Sequence, residues 1–175
     1  VDVGQSGERS FLLRAYVGFD AERIQLTTRE MRDRYGKMAY LIAALKAIPE
    51  SKAMHYHLTL DDEVVECEGF TCIVQNAGNM GVRGLSLVPD GSISDGLLDV
   101  IVIQGLDPLS LASALGSIAD TPLDPDRFRH WQAREITIAT DPPQAVIGDG
   151  EAWGETPITL KVLPGAVRVI GPGKT

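Results

Sequence analysis

Apolar positions recur with two different periods along this chain. Residues 10–17, Ser-Phe-Leu-Leu-Arg-Ala-Tyr-Val, are apolar-rich and stop at Gly18, which predicts a strand. Asp20 is placed to cap a helix starting at Ala21, with Glu22 and Arg23 in its first turn. Residues 36–48 place Met38, Leu41, Ile42, Leu45 and Ile48 at three- and four-residue steps in a background of Ala, Leu and Lys. That spacing predicts the clearest helix, which Pro49 ends. From Met54 the period becomes two. Residues 54–60, 63–68 and 70–76 predict short strands, separated by Asp61-Asp62 and by Gly69. Residues 76–96 are rich in Gly and Asn and read as a long loop, of a length that in a compact domain usually serves a function. A strand at 97–103 is followed by a helix at 108–118, with Asp107 as N-cap and Pro108 at its first position. After a Pro/Asp loop at 121–128, strands are predicted at 132–139, 144–147, 158–163 and 166–170, before Gly171-Pro172-Gly173 ends the order.

Strands without βα alternation after residue 54 argue against a doubly wound sheet. The predicted fold is mainly β (α+β): an antiparallel β-sandwich with two or three appended helices, forming one domain over residues 1–175. Composition agrees with this, since 44% apolar and 23% charged residues are ordinary for a globular chain. Sixteen Lys plus Arg against 24 Asp plus Glu leave a net charge of −8. Such a balance argues against broad nucleic-acid binding and against charge-driven docking on anionic lipid. Arg29, Arg32, Arg34 and Lys37 make the one local basic cluster, read as a solvated helix face. Cys67 and Cys72, in a C-x4-C spacing with no second half, predict two small buried apolar residues in a reducing compartment. No stretch of 18 consecutive apolar residues predicts a membrane-spanning helix, and the first residues carry no signal-peptide pattern, so a cytoplasmic location is expected. A start at Val1-Asp2-Val3-Gly4 with no Met suggests a piece of a longer protein.

Two acidic turns carry the candidate chemistry. In Ser92-Ile93-Ser94-Asp95-Gly96-Leu97, Asp95 can ligate a hard cation, with Ser92 and backbone carbonyls adding oxygens. An Asp-Gly turn that simply ends a loop is the plain alternative. In Gly148-Asp149-Gly150-Glu151, two carboxylates at i and i+2 of an extended segment project to one face, between glycines that admit a close neighbour. A carboxylate at a rigid strand end can take a proton from a hydroxyl, whereas solvated acids of a hairpin turn cannot be told from it by spacing. Paired glycosidase acids fit poorly, because side-by-side groups do not flank a substrate. His55 and His57 share a strand face, but no third ligand lies at a diagnostic spacing, so a zinc site is not predicted. His130-Trp131 reads as a core-edge pair, and the glycines of 78–84 do not form a P-loop.

Taken in order, six segments resemble the C-terminal domain of the diacylglycerol kinase catalytic family, the bacterial soluble lipid kinases related to sphingosine and ceramide kinases. They are Gly18-Phe19-Asp20-Ala21; Tyr35-Gly36-Lys37-Met38-Ala39-Tyr40-Leu41; Asn76-Ala77-Gly78; Val88-Pro89-Asp90 leading to Asp95-Gly96-Leu97-Leu98-Asp99-Val100; Asp149-Gly150-Glu151; and Pro164-Gly165-Ala166-Val167-Arg168-Val169. Gly81-Val82-Arg83-Gly84 departs from the longer glycine run of relatives.

The resemblance implies a β-sandwich that meets an N-terminal nucleotide-binding domain across a cleft. That domain's Gly-Gly-Asp-Gly-Thr loop is not found in these residues. Val1-Asp2-Val3-Gly4 would be the strand crossing from it. It further implies Mg2+ on the turn of Ser92, Asp95 and the Leu97 carbonyl. Glu151 would be the proton acceptor with Asp149 beside it, ATP would be held mainly by the other domain, and the acceptor would be a lipid hydroxyl. The isolated domain is then expected to be inactive. Peripheral membrane contact and homodimerisation stay open, as do two other readings: a non-catalytic metal- or ligand-binding sandwich, and a kinase of a polar acceptor such as a sugar or nicotinamide nucleotide.

Overall fold

In a computed structural model, residues 1–18, 53–76, 79–82, 85–86, 88, 91–105 and 128–170 are described. The helices predicted after Asp20, at 36–48 and at 108–118, and the basic cluster of Arg29 to Lys37, lie outside them. The described strands are β1 (Val3–Ser6), β2 (Arg9–Phe11), β3 (Arg14–Val17), β4 (Met54–Leu60), β5 (Glu63–Gly69), β6 (Thr71–Gln75), β7 (Asn79–Val82), β8 (Leu85–Ser86), β9 (Leu98–Ile103), β10 (Phe128–Ala133), β11 (Glu135–Asp141), β12 (Ala145–Gly148), β13 (Glu151–Glu155) and β14 (Ile158–Leu163).

They form two six-stranded sheets, β2-β1-β14-β11-β4-β5 and β10-β9-β6-β3-β12-β13, and the small pair β7-β8. Every described pairing is antiparallel. The predicted sandwich follows from the pleat. Alternate residues Met54, Tyr56, Leu58 and Leu60 of β4 face inward with Ile136, Ile138 and Leu160, and belong to one core cluster with Val17, Cys72, Val74, Leu98, Val100 and Val102 of the second sheet. β6 and β9 are buried along their whole length. Their apolar residues serve two faces, because Ile73, Ile101, Ile103 and Phe128 form a second cluster on the far side of that sheet. Both cysteines are buried and free.

The predicted strand boundaries fail at two places with one cause. Residues 10–17 are two strands in different sheets, with Leu12 and Leu13 forming the corner. Residues 132–139 likewise span β10 and β11, which lie in different sheets and are separated by Arg134. A chain changing sheets leaves its corner amides without a ladder partner, and those donors must be satisfied otherwise. Each corner is capped by an aspartate from a two-residue hairpin turn. Asp61 Oδ1 accepts from the amides of Arg134 and Glu135 at 3.0 and 2.9 Å. Asp149 does the same for residues 12–14. These two aspartates carry the positive φ values, 52° and 45°, found on non-glycine residues of the described chain.

Three further expectations change. The loop at 76–96 contains the β7–β8 pair. Phe128, expected in a loop, opens β10. Residues 166–170 are not a strand: the Val167 amide donates to Val1 O at 3.1 Å, Val1 N donates to Val167 O at 2.8 Å, and Val169 and Ile170 are exposed.

Candidate functional site

Asp149 and Glu151 are not successive same-face residues of an extended segment, as expected above. Asp149-Gly150 is the turn of the β12–β13 hairpin, with φ of 45° and 93°. Asp-Gly is the pair that favours a tight hairpin of this kind, because both positions need a left-handed backbone. Gly148 faces Glu151 across the turn. A register shift between Val146 and Ile147 then bulges the hairpin. A Cβ on Gly148 would overlap the indole of Trp153.

The two acids consequently differ in kind. The Asp149 carboxylate accepts from the amides of Leu12 at 2.7 Å, Leu13 at 3.1 Å and Arg14 at 2.9 Å, while its own amide donates to Arg14 O at 2.9 Å. Its oxygens are committed to the corner. Glu151, the first residue of β13, is exposed, and its carboxylate has no hydrogen bond or ion pair among the described residues.

The second acidic turn is folded by its own side chains. Asp95 Oδ1 accepts from the Leu97 amide at 3.0 Å, and Ser92 Oγ accepts from the Ser94 amide at 3.3 Å. Asp2, which the sequence reading passed over, anchors this turn. Its carboxylate accepts from Gly96 N at 2.7 Å and Gly165 N at 2.8 Å, and its amide donates to Ile93 O at 2.8 Å. The Asp2 side chain is 2% exposed. Asn76 continues the connection: Nδ2 donates to Asp2 O at 2.7 Å and to Leu12 O at 3.2 Å, and its amide donates to Leu13 O at 3.0 Å. A continuous chain of hydrogen bonds therefore runs from the Asp95 turn through Asp2, Asn76 and the corner at residues 12–14 to the Asp149 turn. The structure joins the two acidic motifs that the sequence could only place in order.

A row of polar residues crosses the second sheet beside this corner, where Arg14 faces Gln75 and Gln75 faces Asp99. Asp99, buried, takes His130 Nε2 at 2.8 Å and Gln132 Nε2 at 3.0 Å. The side-chain N and O of Gln75, and Asn76 Oδ1, are buried with no hydrogen-bond partner among the described residues. The Arg14 guanidinium lies 6.0 Å from the Tyr16 ring centre. Burial raises the Tyr16 pKa, and Arg14 opposes that rise. A polar residue closing an apolar strand, as in Cys72-Ile73-Val74-Gln75, was the available signal for this row. An open groove of about 450 Å³ adjoins the corner, lined chiefly by Val3, Phe11, Leu12, Leu163 and Val167, with Asp149 contributing.

The turn at 92–97 suits a hard cation in its donor set: one carboxylate with its second oxygen unused, a hydroxyl and the Leu97 carbonyl, all oxygen, with room for water. Asp2 does not add to it, since both its oxygens serve amides.

Residues 14–171 match the family described as YegS C-terminal NAD kinase beta sandwich-like domain. The chain is similar to an uncharacterized protein of Synechocystis sp., sll0036, at 31% identity over 98% of this chain and 41% of that protein. It is also similar to a diacylglycerol kinase of Staphylococcus saprophyticus, at 25% identity over 98% of this chain and 56% of that one. A solved diacylglycerol kinase from Bacillus anthracis str. Sterne shares the fold, with a TM-score of 0.66 at 19% identity, covering 94% of this chain and 51% of that chain. The chain spans about half the length of the curated relatives it matches. A sandwich of two antiparallel sheets, matched over nearly its whole length, belongs to the YegS C-terminal domain family and is homologous to the C-terminal domain of lipid kinases.

Proposed function

We propose that this chain is the acceptor-side domain of an ATP-dependent lipid kinase, with Glu151 as the catalytic residue and Asp149 as a positioning residue. The observation that carries this is the division of labour on one hairpin. Asp149 spends its carboxylate on holding the turn to the corner at residues 12–14, and Glu151 stands on that fixed turn with its own carboxylate uncommitted. A general base needs such preorganisation, with free lone pairs, on a rigid element.

In the proposed reaction the lipid hydroxyl oxygen bonds to the γ-phosphorus of ATP as the bond from that phosphorus to the β–γ bridging oxygen breaks. The hydroxyl proton goes to Glu151, and ADP leaves. Phosphoryl transfer is governed by positioning and charge more than by covalent help from the protein, so one oriented carboxylate is a sufficient contribution from this side. The nucleotide is assigned to a separate domain of the whole protein. A Mg2+ held by Asp95, Ser92 Oγ and the Leu97 carbonyl would supply positive charge to a turn that Asp2 and Asn76 tie to the Glu151 hairpin.

The test is Glu151→Gln in the full-length protein, assayed for phosphate transfer from ATP to diacylglycerol in mixed micelles, beside a polar-acceptor panel. Removing a general base is expected to lower kcat about 10²–10⁴-fold with the thermal midpoint unchanged. Turnover near the parent value would remove Glu151 from the mechanism. Transfer to a sugar or nucleotide but not to any lipid would overturn the acceptor class.

A further inference from the structure

On the outer face of the first sheet, far in chain order from the Asp95 and Asp149 turns, three side chains converge. His55 and His57 project from the same side of β4, as alternate residues must, and their rings meet edge to face with centres 4.6 Å apart. Glu66 stands opposite His57 on the neighbouring strand β5. His57 Nδ1 is 3.3 Å from Glu66 Oε1, and His55 Nε2 is 3.6 Å from Glu66 Oε2. One donor atom from each of the three residues can be chosen so that all lie within 4.8 Å of one another. The third donor that sequence spacing failed to show comes from strand register.

We propose that His55, His57 and Glu66 form a binding site for one Zn2+-class transition-metal ion. The donor chemistry is two imidazoles and a carboxylate, which suits Zn2+, Cu2+ or Ni2+ and discriminates against Mg2+ and Ca2+. The spacing fits as well. Donors about 2.0–2.1 Å from a tetrahedral metal lie about 3.3–3.4 Å from each other, and the His57 Nδ1–Glu66 Oε1 separation of 3.3 Å meets this. The side chains are thus already gathered within reach of one ion, with His57 hydrogen-bonded to Glu66 and His55 3.6 Å from its other oxygen. Two more acids flank His55 in register, Glu68 on β5 and Asp141 on β11, both exposed, so the surroundings favour a cation. The three side chains are half-buried or exposed, so the ion can enter from solvent and keep a fourth position for water. β5 is the edge of its sheet, and an ion bridging β4 and β5 would clip that edge strand in place. Neither thiol competes: Cys67 and Cys72 lie inside the sandwich, and burial pushes both above the ordinary thiol value. The third histidine, His130, is bonded to Asp99 on the other sheet.

The experiment is calorimetric titration of the full chain, free of any polyhistidine tag, with Zn2+ alone. It is repeated on His57→Ala, Glu66→Gln and, as a control, His130→Gln. One Zn2+ per chain is expected, with affinity reduced at least tenfold in His57→Ala and in Glu66→Gln and unchanged in His130→Gln. Co2+ in place of Zn2+ should give the strong visible absorption of a four-coordinate ion, and saturating Zn2+ should raise the thermal midpoint until EDTA is added. Absence of stoichiometric Zn2+ binding would overturn the proposal. So would equal binding by the parent and His57→Ala. Equal binding by the parent and Glu66→Gln would overturn the three-residue site. His57 and Glu66 stand on the solvent face of the first sheet, His130 is a partly exposed residue of the second bonded to Asp99, and far-UV circular dichroism checks that each variant is folded.

Discussion

Replacing Asp149 by alanine removes the acceptor for three amides at the corner where the chain leaves one sheet for the other. Charge-assisted bonds of this kind are worth about 1.5–3 kcal/mol when desolvated. Here the corner is open to water, with Leu12 and Leu13 each about half exposed, so water replaces much of the lost acceptor and about 1 kcal/mol per amide is the better figure. Alanine also has to hold a φ of 45°, a left-handed backbone that aspartate tolerates locally and alanine does not, at about 1 kcal/mol. The expected loss is about 4 kcal/mol, or roughly 10 °C in the thermal midpoint for a chain of this size. Asp61 is an internal comparator, since it caps two amides instead of three in an equivalent turn. Asp61→Ala should cost about 3 kcal/mol and leave phosphate transfer by the full-length protein unchanged. Asp149→Ala should lower kcat as well, because the mobile turn no longer presents Glu151, with KM for ATP little altered. Asp149→Asn keeps the left-handed preference and an acceptor for two of the three amides, but sets its NH2 against the third, and should recover part of both losses. Differential scanning calorimetry with a kinase assay on the same preparations decides the matter. A midpoint within about 2 °C of the parent for Asp149→Ala, or an Asn variant as damaged as the Ala variant, would refute the reasoning.

Gly148→Ala should destabilise by about 1–3 kcal/mol, because the added methyl has to displace the Trp153 indole that covers this position. A urea midpoint equal to the parent's would show that the hairpin absorbs it. Alkaline pH should weaken the fold. Burial raises the Tyr56 phenol, whose OH donates to Val17 O at 3.1 Å, above its ordinary value of 10.0, and raises the Cys72 thiol above 9.0. The folded chain keeps these protons while the unfolded chain releases them. The stability they contribute is therefore complete below about pH 9 and falls above it, by up to about 1.4 kcal/mol per pH unit for each retained proton. Urea midpoints across that range check this, and Tyr56→Phe should flatten the decline above about pH 10. A midpoint that rises with pH there would contradict the sign.

What was legible in the sequence and what was not divide along a physical line. Period-two alternation marks β4 and β5, and apolar-rich runs mark β6, β9 and β14, so these strands stand close to where the pattern places them. Alternation carries no mark of which sheet a residue joins. Two runs of strand-forming residues, one through Leu12-Leu13 and one through Arg134, therefore read as single strands although each bends between sheets. The missing mark lies in distant turns. Asp61 and Asp149 look alike in sequence, each a polar hairpin residue, and each supplies the carboxylate that lets a corner exist 73 to 137 residues away in the chain. The same limit explains the histidines. His55 and His57 share a face by local geometry, but pairing with Glu66 needs the β4–β5 register, which the two-residue turn at Asp61-Asp62 sets. Local pattern singled out Asp95, Asp149 and Glu151 as candidates. Only register and long-range hydrogen bonding separate the carboxylate consumed in holding a corner, that of Asp149, from the one without a described partner, that of Glu151.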